Sequence, residues 1–313
     1  MASTLPRPVN TLLNILSILG LALWTVGAFI GLFYISGGSY GISIPLAIAI
    51  GGLMSLFLYL MRRYTGFCAT GYRIREASKY KWIYFVLYLI MALGSVLFVM
   101  HSVAVTTTIK NESQTQALED LRGLLNLVDA SGPDGSYVKY VNGQIDRYRQ
   151  DNWSENPSTL NFESQQLRQK LMENSGFNRL QNQVTEYWKT ADYTVRNWDL
   201  MYLPSTINTF NDRQSIWVDS LRNGAERGNT GIYKKMHTPF KTDYQPSSDL
   251  YHQFRSFTGA DFSGWCIPVA ILLQFLILAG WLAMLTGGTH RSGGIDVGKE
   301  GGSVWNSSSV RNS

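Results

Sequence analysis

Four long apolar segments alternate with polar sequence along this chain, and each is long enough to form a helix that crosses a bilayer. They cover about residues 11–35, 41–61, 82–105 and 264–286. A hydrocarbon core about 30 Å thick needs about 20 apolar residues of helix, so the pattern predicts four transmembrane helices. The first two segments are separated by only a short turn, which predicts a transmembrane hairpin over residues 11–61.

A polar stretch, residues 106–262, separates the third span from the fourth. Its apolar residues recur at helical spacing, and no useful length of strand-like alternation interrupts them. The first stripe predicts that the third span continues as a helical stalk; it consists of Leu118, Leu121, Leu125 and Val128. The predicted fold class is therefore an all-α integral membrane protein. It has four transmembrane helices and a large helical exoplasmic or periplasmic domain between the third and the fourth.

The distribution of basic residues predicts the orientation. The connection formed by residues 62–81 is rich in them, with Glu76 as its acid; the basic residues are Arg62, Arg63, Arg73, Arg75, Lys79 and Lys81. Short loops rich in Lys and Arg stay in the cytoplasm, where they also contact anionic lipid. Four spans (82–105 being the third and 263–286 the fourth) then place the N-terminal residues 1–10 and the tail, 287–313, in the cytoplasm. The tail is rich in Gly and Ser and is expected to be flexible.

Small residues at intervals of four indicate where helices approach each other closely. The second span carries Ser43, Ala47, Gly51 and Ser55, and the first span carries Gly27 and Gly31. Small side chains let two helix backbones come into contact within a membrane. The pattern predicts that the first two spans pack against each other through these faces.

The charge of the polar stretch indicates which partners it can bind, and the cysteine content indicates the compartment in which it folds. Residues 106–262 contain 17 Lys and Arg and 19 Asp and Glu, a net charge of −2. A nucleic-acid partner requires a concentrated basic face, so none is expected. Cys68 and Cys266 fall on opposite sides of the predicted membrane and cannot form a disulfide within one chain. A cysteine-free outer domain favours a bacterial periplasm, with the chain in the inner membrane.

Residues that carry chemistry are sparse. The sequence has no clustered metal ligands, nucleophile motif or phosphate loop, so neither catalysis nor a cofactor is expected. The predicted spans contain no Asp, Glu, Lys or Arg, which argues against a pump or a secondary transporter. Asn14 and Gln274 are their deepest polar side chains, and either can hydrogen-bond across helices. His101, near the end of the third span, is expected at the membrane interface.

The order of spans is similar to that of tetraspanins: a short hairpin, a third span, a large outer loop and a fourth span. Tetraspanin loops carry a Cys-Cys-Gly motif and paired cysteines. Residues 106–262 contain no cysteine. The resemblance is therefore one of topology, and it implies no shared function.

These observations favour a non-enzymatic membrane scaffold or a subunit of a multiprotein envelope assembly, such as a secretion, transfer or surface-structure apparatus. It would act through helical packing. The expected partners are membrane lipids, other envelope proteins and further copies of the chain, whose stalks would form a coiled coil. One alternative is a sensor or receptor with a helical ligand-binding domain, although its cytoplasmic connection is short. The other is an oligomeric channel or pore-forming effector, whose spans would enclose a path.

Overall fold

A computed structural model describes residues 7–69, 74–228, 240–245 and 248–288. This part of the chain is mainly helical and contains no strand, so the predicted all-helical fold is confirmed there. The α-helices are α1 Arg7–Ile35, α2 Tyr40–Ala69, α3 Ile74–Thr106, α4 Thr108–Leu127, α5 Tyr137–Asp151, α6 Pro157–Asn174, α7 Phe177–Arg196, α8 Leu203–Gly228, α9 Ser248–Arg255 and α10 Cys266–Gly288. One 3₁₀ turn, Gly259–Phe262, precedes α10.

Four of these helices, α1, α2, α3 and α10, are long and apolar enough to cross a membrane. They pack against one another as a bundle, called here the apolar bundle. Many large apolar side chains on its outer surface are exposed, for example Ile18, Ile48 and Leu93. Helices that are apolar on all sides suit a lipid environment, because lipid tails cover the outward faces. The four predicted spans are therefore present as helices.

Helices α2 and α3 extend into the predicted basic connection. Helix α2 continues to Ala69 and α3 begins at Ile74, so most of residues 62–81 is helical. Arg and Lys are good helix formers, and nothing in their backbone requires a loop. The basic residues therefore form one end of the apolar bundle, called here the basic end. Arg73 lies outside the described residues.

The remaining helices, α4 to α9, form the polar helical domain at the opposite end of the apolar bundle. Helix α4 follows α3 after a single non-helical residue, Thr107, which has φ −122° and ψ −79°. It packs against α7 of the same chain. Of the predicted stalk stripe, Leu121 and Val128 are buried, while Leu118 and Leu125 are half-buried. The stripe is thus covered largely within one chain rather than left free for a coiled coil.

Helices α5 and α6 form a hairpin, and the residues just before each helix explain where it begins. The side chain of Ser136 accepts a hydrogen bond from the amide of Lys139 at the start of α5. Asn156 caps α6 in the same way, with Pro157 in the first turn. These are the residue types that satisfy free amides at helix starts. The hairpin is closed at its base by Tyr137, whose hydroxyl donates to the Leu171 carbonyl at 2.9 Å.

Candidate functional site

Gly27 and Gly31 of α1 lie at a helix contact, but their neighbour is α3 and not α2. A Cβ atom on Gly31 would lie 2.0 Å from the carbonyl oxygen of Phe98, which places the two backbones in direct contact. A Cβ atom on Gly27 would lie 3.3 Å from both Val99 and Ser102. The predicted pairing of these two glycines with the second span is therefore wrong.

The small residues of α2 divide into two groups. Ser43 and Ala47 are buried, and so is Gly51. A Cβ atom on Gly51 would lie 2.4 Å from Oγ1 of Thr25 in α1. Ser55 is exposed. Helix α1 thus contacts α2 at Gly51, and it contacts α3 through its own Gly27 and Gly31.

The basic end contains one cation whose surroundings differ from those of the others. Arg63, Arg75 and Lys79 are exposed, and Lys81 lies 5.3 Å from the centre of the Trp82 ring. The Arg62 side chain instead points into the bundle.

Arg62 reaches the helices on either side of α2. Its Nη2 donates a hydrogen bond to Oγ of Ser17 in α1 at 2.6 Å. The Ser17 hydroxyl in turn donates to the carbonyl of Ile277 in α10. Arg62 is the first residue after the predicted second span, residues 41–61, which itself contains no charged residue. The candidate span in α2 extends to Cys68, beyond the end of the apolar run in the sequence, and it includes Arg62.

At the other end of the apolar bundle, a buried ion pair joins α3 to the segment before α10. His101 and Asp261 are both 0 % exposed, and Nδ1 of the imidazole lies 2.7 Å from Oδ1 of the carboxylate. The second ring nitrogen, Nε2, lies 3.2 Å from the carbonyl oxygen of Phe254. Both ring nitrogens therefore lie within hydrogen-bonding distance of an acceptor oxygen.

Asp261 is also held from its own side. Its Oδ2 accepts a hydrogen bond from the backbone amide of Thr258 at 2.5 Å, which completes a capping box around the 3₁₀ turn. Each carboxylate oxygen therefore has a donor. The geometry is that of a fixed tie between α3 and the start of α10. A freely rotating carboxylate would not show it.

Aromatic and amide contacts surround this pair. The ring of Phe254 stacks on Tyr34 of α1 with centroids 5.7 Å apart. Trp198, between α7 and α8, donates from Nε1 to the Val105 carbonyl at the end of α3, at 3.0 Å. Asn208 of α8 donates to the Gly37 carbonyl in the turn between α1 and α2, at 2.6 Å. The contacts of His101, Asp261, Phe254, Trp198 and Asn208 are called here the junction.

Trp198 holds an unusual backbone conformation within the junction. Its φ is 49°, in the left-handed region that residues other than glycine rarely adopt. Such a conformation is costly by about 1 kcal/mol or more, and it persists where surrounding contacts fix it. The side chain is buried and its indole N–H is hydrogen-bonded, so the junction supplies those contacts.

A second feature of the apolar bundle is a groove between α3 and α10. Its cavity volume is about 280 Å³, and its lining is almost wholly apolar. The hydroxyl of Tyr88 donates to Oε1 of Gln274 there, at 2.7 Å. This confirms that Gln274 forms a hydrogen bond across helices. Its Nε2 is buried and has no partner among the described residues.

The polar helical domain exposes several large aromatic side chains. Trp153, in the turn between α5 and α6, is 81 % exposed, and Phe162 of α6 is 61 % exposed. Trp265, just before α10, is also exposed and stands where an apolar helix begins. An aromatic ring at that level is typical of a membrane interface. The α5–α6 hairpin has no such explanation, so its exposed rings are candidates for a protein contact.

Neither clustered metal ligands nor a similar protein indicates a chemical site in the described part of the chain. Within the described ranges, no three His, Cys, Asp or Glu residues come together as metal ligands. Both cysteines are free. Comparisons with protein families, with curated proteins and with solved structures found no match. The junction and the basic end are therefore assigned from the chain's own residues.

Proposed function

We propose that the protein is a non-enzymatic membrane scaffold or a subunit of a multiprotein envelope assembly. In this proposal the apolar bundle spans a bacterial inner membrane with both termini in the cytoplasm. The polar helical domain then extends into the periplasm. The basic end supports this orientation, since Arg63, Arg75 and Lys79 are exposed there and Lys and Arg near span ends favour the cytoplasmic side.

The observation that carries the proposal is the junction. A scaffold must hold its outer domain at a fixed position relative to the membrane, because its partners bind on both. Here the outer helices are tied to α3 by two hydrogen-bonding contacts, from Trp198 to the Val105 carbonyl and from His101 to the Phe254 carbonyl of α9. Asn208 ties them to the α1–α2 turn. A domain joined to the membrane helices only by flexible linkers would not form buried contacts of this kind.

The exposed rings of the α5–α6 hairpin supply the proposed contact with an envelope partner. Trp and Tyr are enriched among residues that dominate binding energy, and a truncated hot-spot side chain weakens binding by about 2 kcal/mol or more. Trp153 and Phe162 are the large exposed rings of this hairpin. Their exposure leaves little role for them in the stability of the chain itself.

Purification of the tagged full chain from its native host in mild detergent tests the proposal. Mass spectrometry is expected to find envelope proteins at fixed stoichiometry. The double variant Trp153→Ala/Phe162→Ala is expected to lose them while its thermal midpoint stays unchanged. Tyr193→Ala removes a ring of similar exposure from α7 and serves as the control. A wild-type chain that elutes without partners, or that conducts ions in reconstituted bilayers, would contradict the scaffold.

The second candidate is a sensor, and the junction also favours it. The hydrogen bonds that hold the outer helices on α3 and on the α1–α2 turn would transmit a movement between the outer helices and the apolar bundle. Ligand-dependent thermal stabilisation of the full chain, without co-purified partners, would favour the sensor over the scaffold.

A further inference from the structure

The guanidinium of Arg62, which belongs to α2, lies in a space between α1 and α10. Its Nη2 lies 2.6 Å from the hydroxyl of Ser17 in α1. On the α10 side, a Cβ atom on Gly280 would come 2.5 Å from the same nitrogen and 2.8 Å from Oδ1 of Asn14. The missing side chain at position 280 is what makes room for the cation.

The charge of Arg62 is not balanced within the described part of the chain. The ion pairs found there involve other residues, and the hydrogen-bond partner of Nη2 is a neutral hydroxyl. The Nε–H is buried and has no acceptor among those residues. Arg62 is half-buried. Partial burial of a cation without a counter-charge is costly, and such groups in proteins are normally paired. The described residues therefore supply no anion at this site.

The position of Arg62 indicates where that anion comes from. The candidate span in α2 has 29 residues, which corresponds to about 43 Å of helix. A hydrocarbon core is about 30 Å thick, so the ends of this helix lie in the headgroup layers. Arg62 lies about 9 Å from the Cys68 end of the span, near the boundary between hydrocarbon and headgroups. Lipid phosphates are the anions of that layer.

The surrounding charges favour an anionic lipid over a zwitterionic one. Arg63, Arg75 and Lys79 are exposed at the same end, and each attracts negative lipid by about 1 kcal/mol. Guanidinium N–H groups also form strong, charge-assisted hydrogen bonds with phosphate oxygens, and half-buried Arg62 is not closed off from the headgroup layer. We infer that Arg62, with Ser17 and Gly280 shaping its surroundings, forms a specific binding site for the phosphate group of an anionic glycerophospholipid.

Lipid titration of the purified full chain tests this site. The chain is delipidated in a neutral detergent, and phosphatidylglycerol, phosphatidylcholine or inorganic phosphate is added separately. Thermal unfolding and native mass spectrometry then report binding. Phosphatidylglycerol is expected to raise the unfolding midpoint most and to remain bound. Arg62→Gln is expected to weaken this binding by about tenfold or more, the loss of one charged hydrogen-bonding partner.

Two further variants distinguish specific binding at Arg62 from non-specific attraction by the summed positive charge of the basic end. Arg63→Gln removes the same charge from the neighbouring, exposed position and is expected to retain the tight binding. Gly280→Ala keeps every charge but places a methyl group where the guanidinium lies, so it is expected to weaken binding as Arg62→Gln does. It also tests the site if Arg62→Gln fails to fold.

Three results would overturn the inference. Equal losses for Arg62→Gln and Arg63→Gln would show that only the summed charge matters. Unchanged phosphatidylglycerol binding in both Gly280→Ala and Arg62→Gln would show that the site does not bind lipid. Full stabilisation by inorganic phosphate alone would assign the site to a free anion instead.

Discussion

Removal of the carboxylate charge at the junction is expected to destabilise the whole chain strongly. Asp261→Asn keeps the size of the side chain and an oxygen for the Thr258 amide, but it takes the negative charge away from His101. Both partners are 0 % exposed, so water does not screen the pair. Breaking a buried ion pair by removing one partner destabilises proteins by about 3–5 kcal/mol. Because the cap to Thr258 survives, the lower value, about 3 kcal/mol, is expected here.

A double-mutant cycle isolates the pair from its surroundings. The variants are Asp261→Asn, His101→Leu and the two combined, and the measurement is the free energy of unfolding in mixed micelles. Once one partner has been replaced, replacing the other removes no further interaction between the two side chains. The double variant is therefore expected to lose no more than the worse single variant, which gives a coupling energy of about 2–3 kcal/mol.

The control and the refuting result follow from the same cycle. Asp134→Asn removes a carboxylate from an exposed pair with Lys139, and its expected effect is below about 0.5 kcal/mol. If the two junction variants add to within about 0.5 kcal/mol, His101 and Asp261 do not act as a pair. The reasoning that makes the junction a fixed tie would then fail.

Two further predictions concern the contact at Gly31 and the hydroxyl group of Tyr137. Gly31→Ala forces a methyl group onto the Phe98 carbonyl and is expected to lower the thermal midpoint by several degrees. Gly52→Ala, which meets no atom within 4 Å, is expected to leave the midpoint unchanged or raise it; equal loss in both would refute the close contact. Burial raises the pKa of Tyr137 to about 12, so between pH 10 and 12 the folded chain keeps a proton that the unfolded chain has lost. Stability therefore falls as pH rises through this window, and Tyr137→Phe is expected to reduce that slope in alkaline unfolding curves; an unchanged slope would contradict it.

The helical fold and the four apolar helices could be predicted because their signals are local. Span length and helical spacing are properties of short windows, and lipid or helix burial reinforces each of them. The helix that each small-residue face contacts was harder to predict. The sequence shows a small residue at position 31, but it does not show which helix packs against it. Its contact with Phe98 depends on how all four helices are arranged.

The junction could not be predicted for the same physical reason. His101 and Asp261 are separated by 160 residues, and no periodic pattern joins them. The one available signal was an ionisable side chain near the end of an apolar helix, which usually marks a functional or paired position. The inward direction of the Arg62 side chain could not be predicted either, because the apolar run ends before this residue whereas the helix itself continues to Ala69.

Cysteine labelling across the membrane tests the proposed orientation most directly. Gln183→Cys places a thiol at an exposed position of α7, and the native Cys68 at the basic end provides an internal reference. In intact spheroplasts, a membrane-impermeant maleimide is expected to label position 183 at once and Cys68 only after the membrane is opened. Labelling of Cys68 in intact spheroplasts, with position 183 protected until lysis, would place the polar helical domain in the cytoplasm and contradict the proposal.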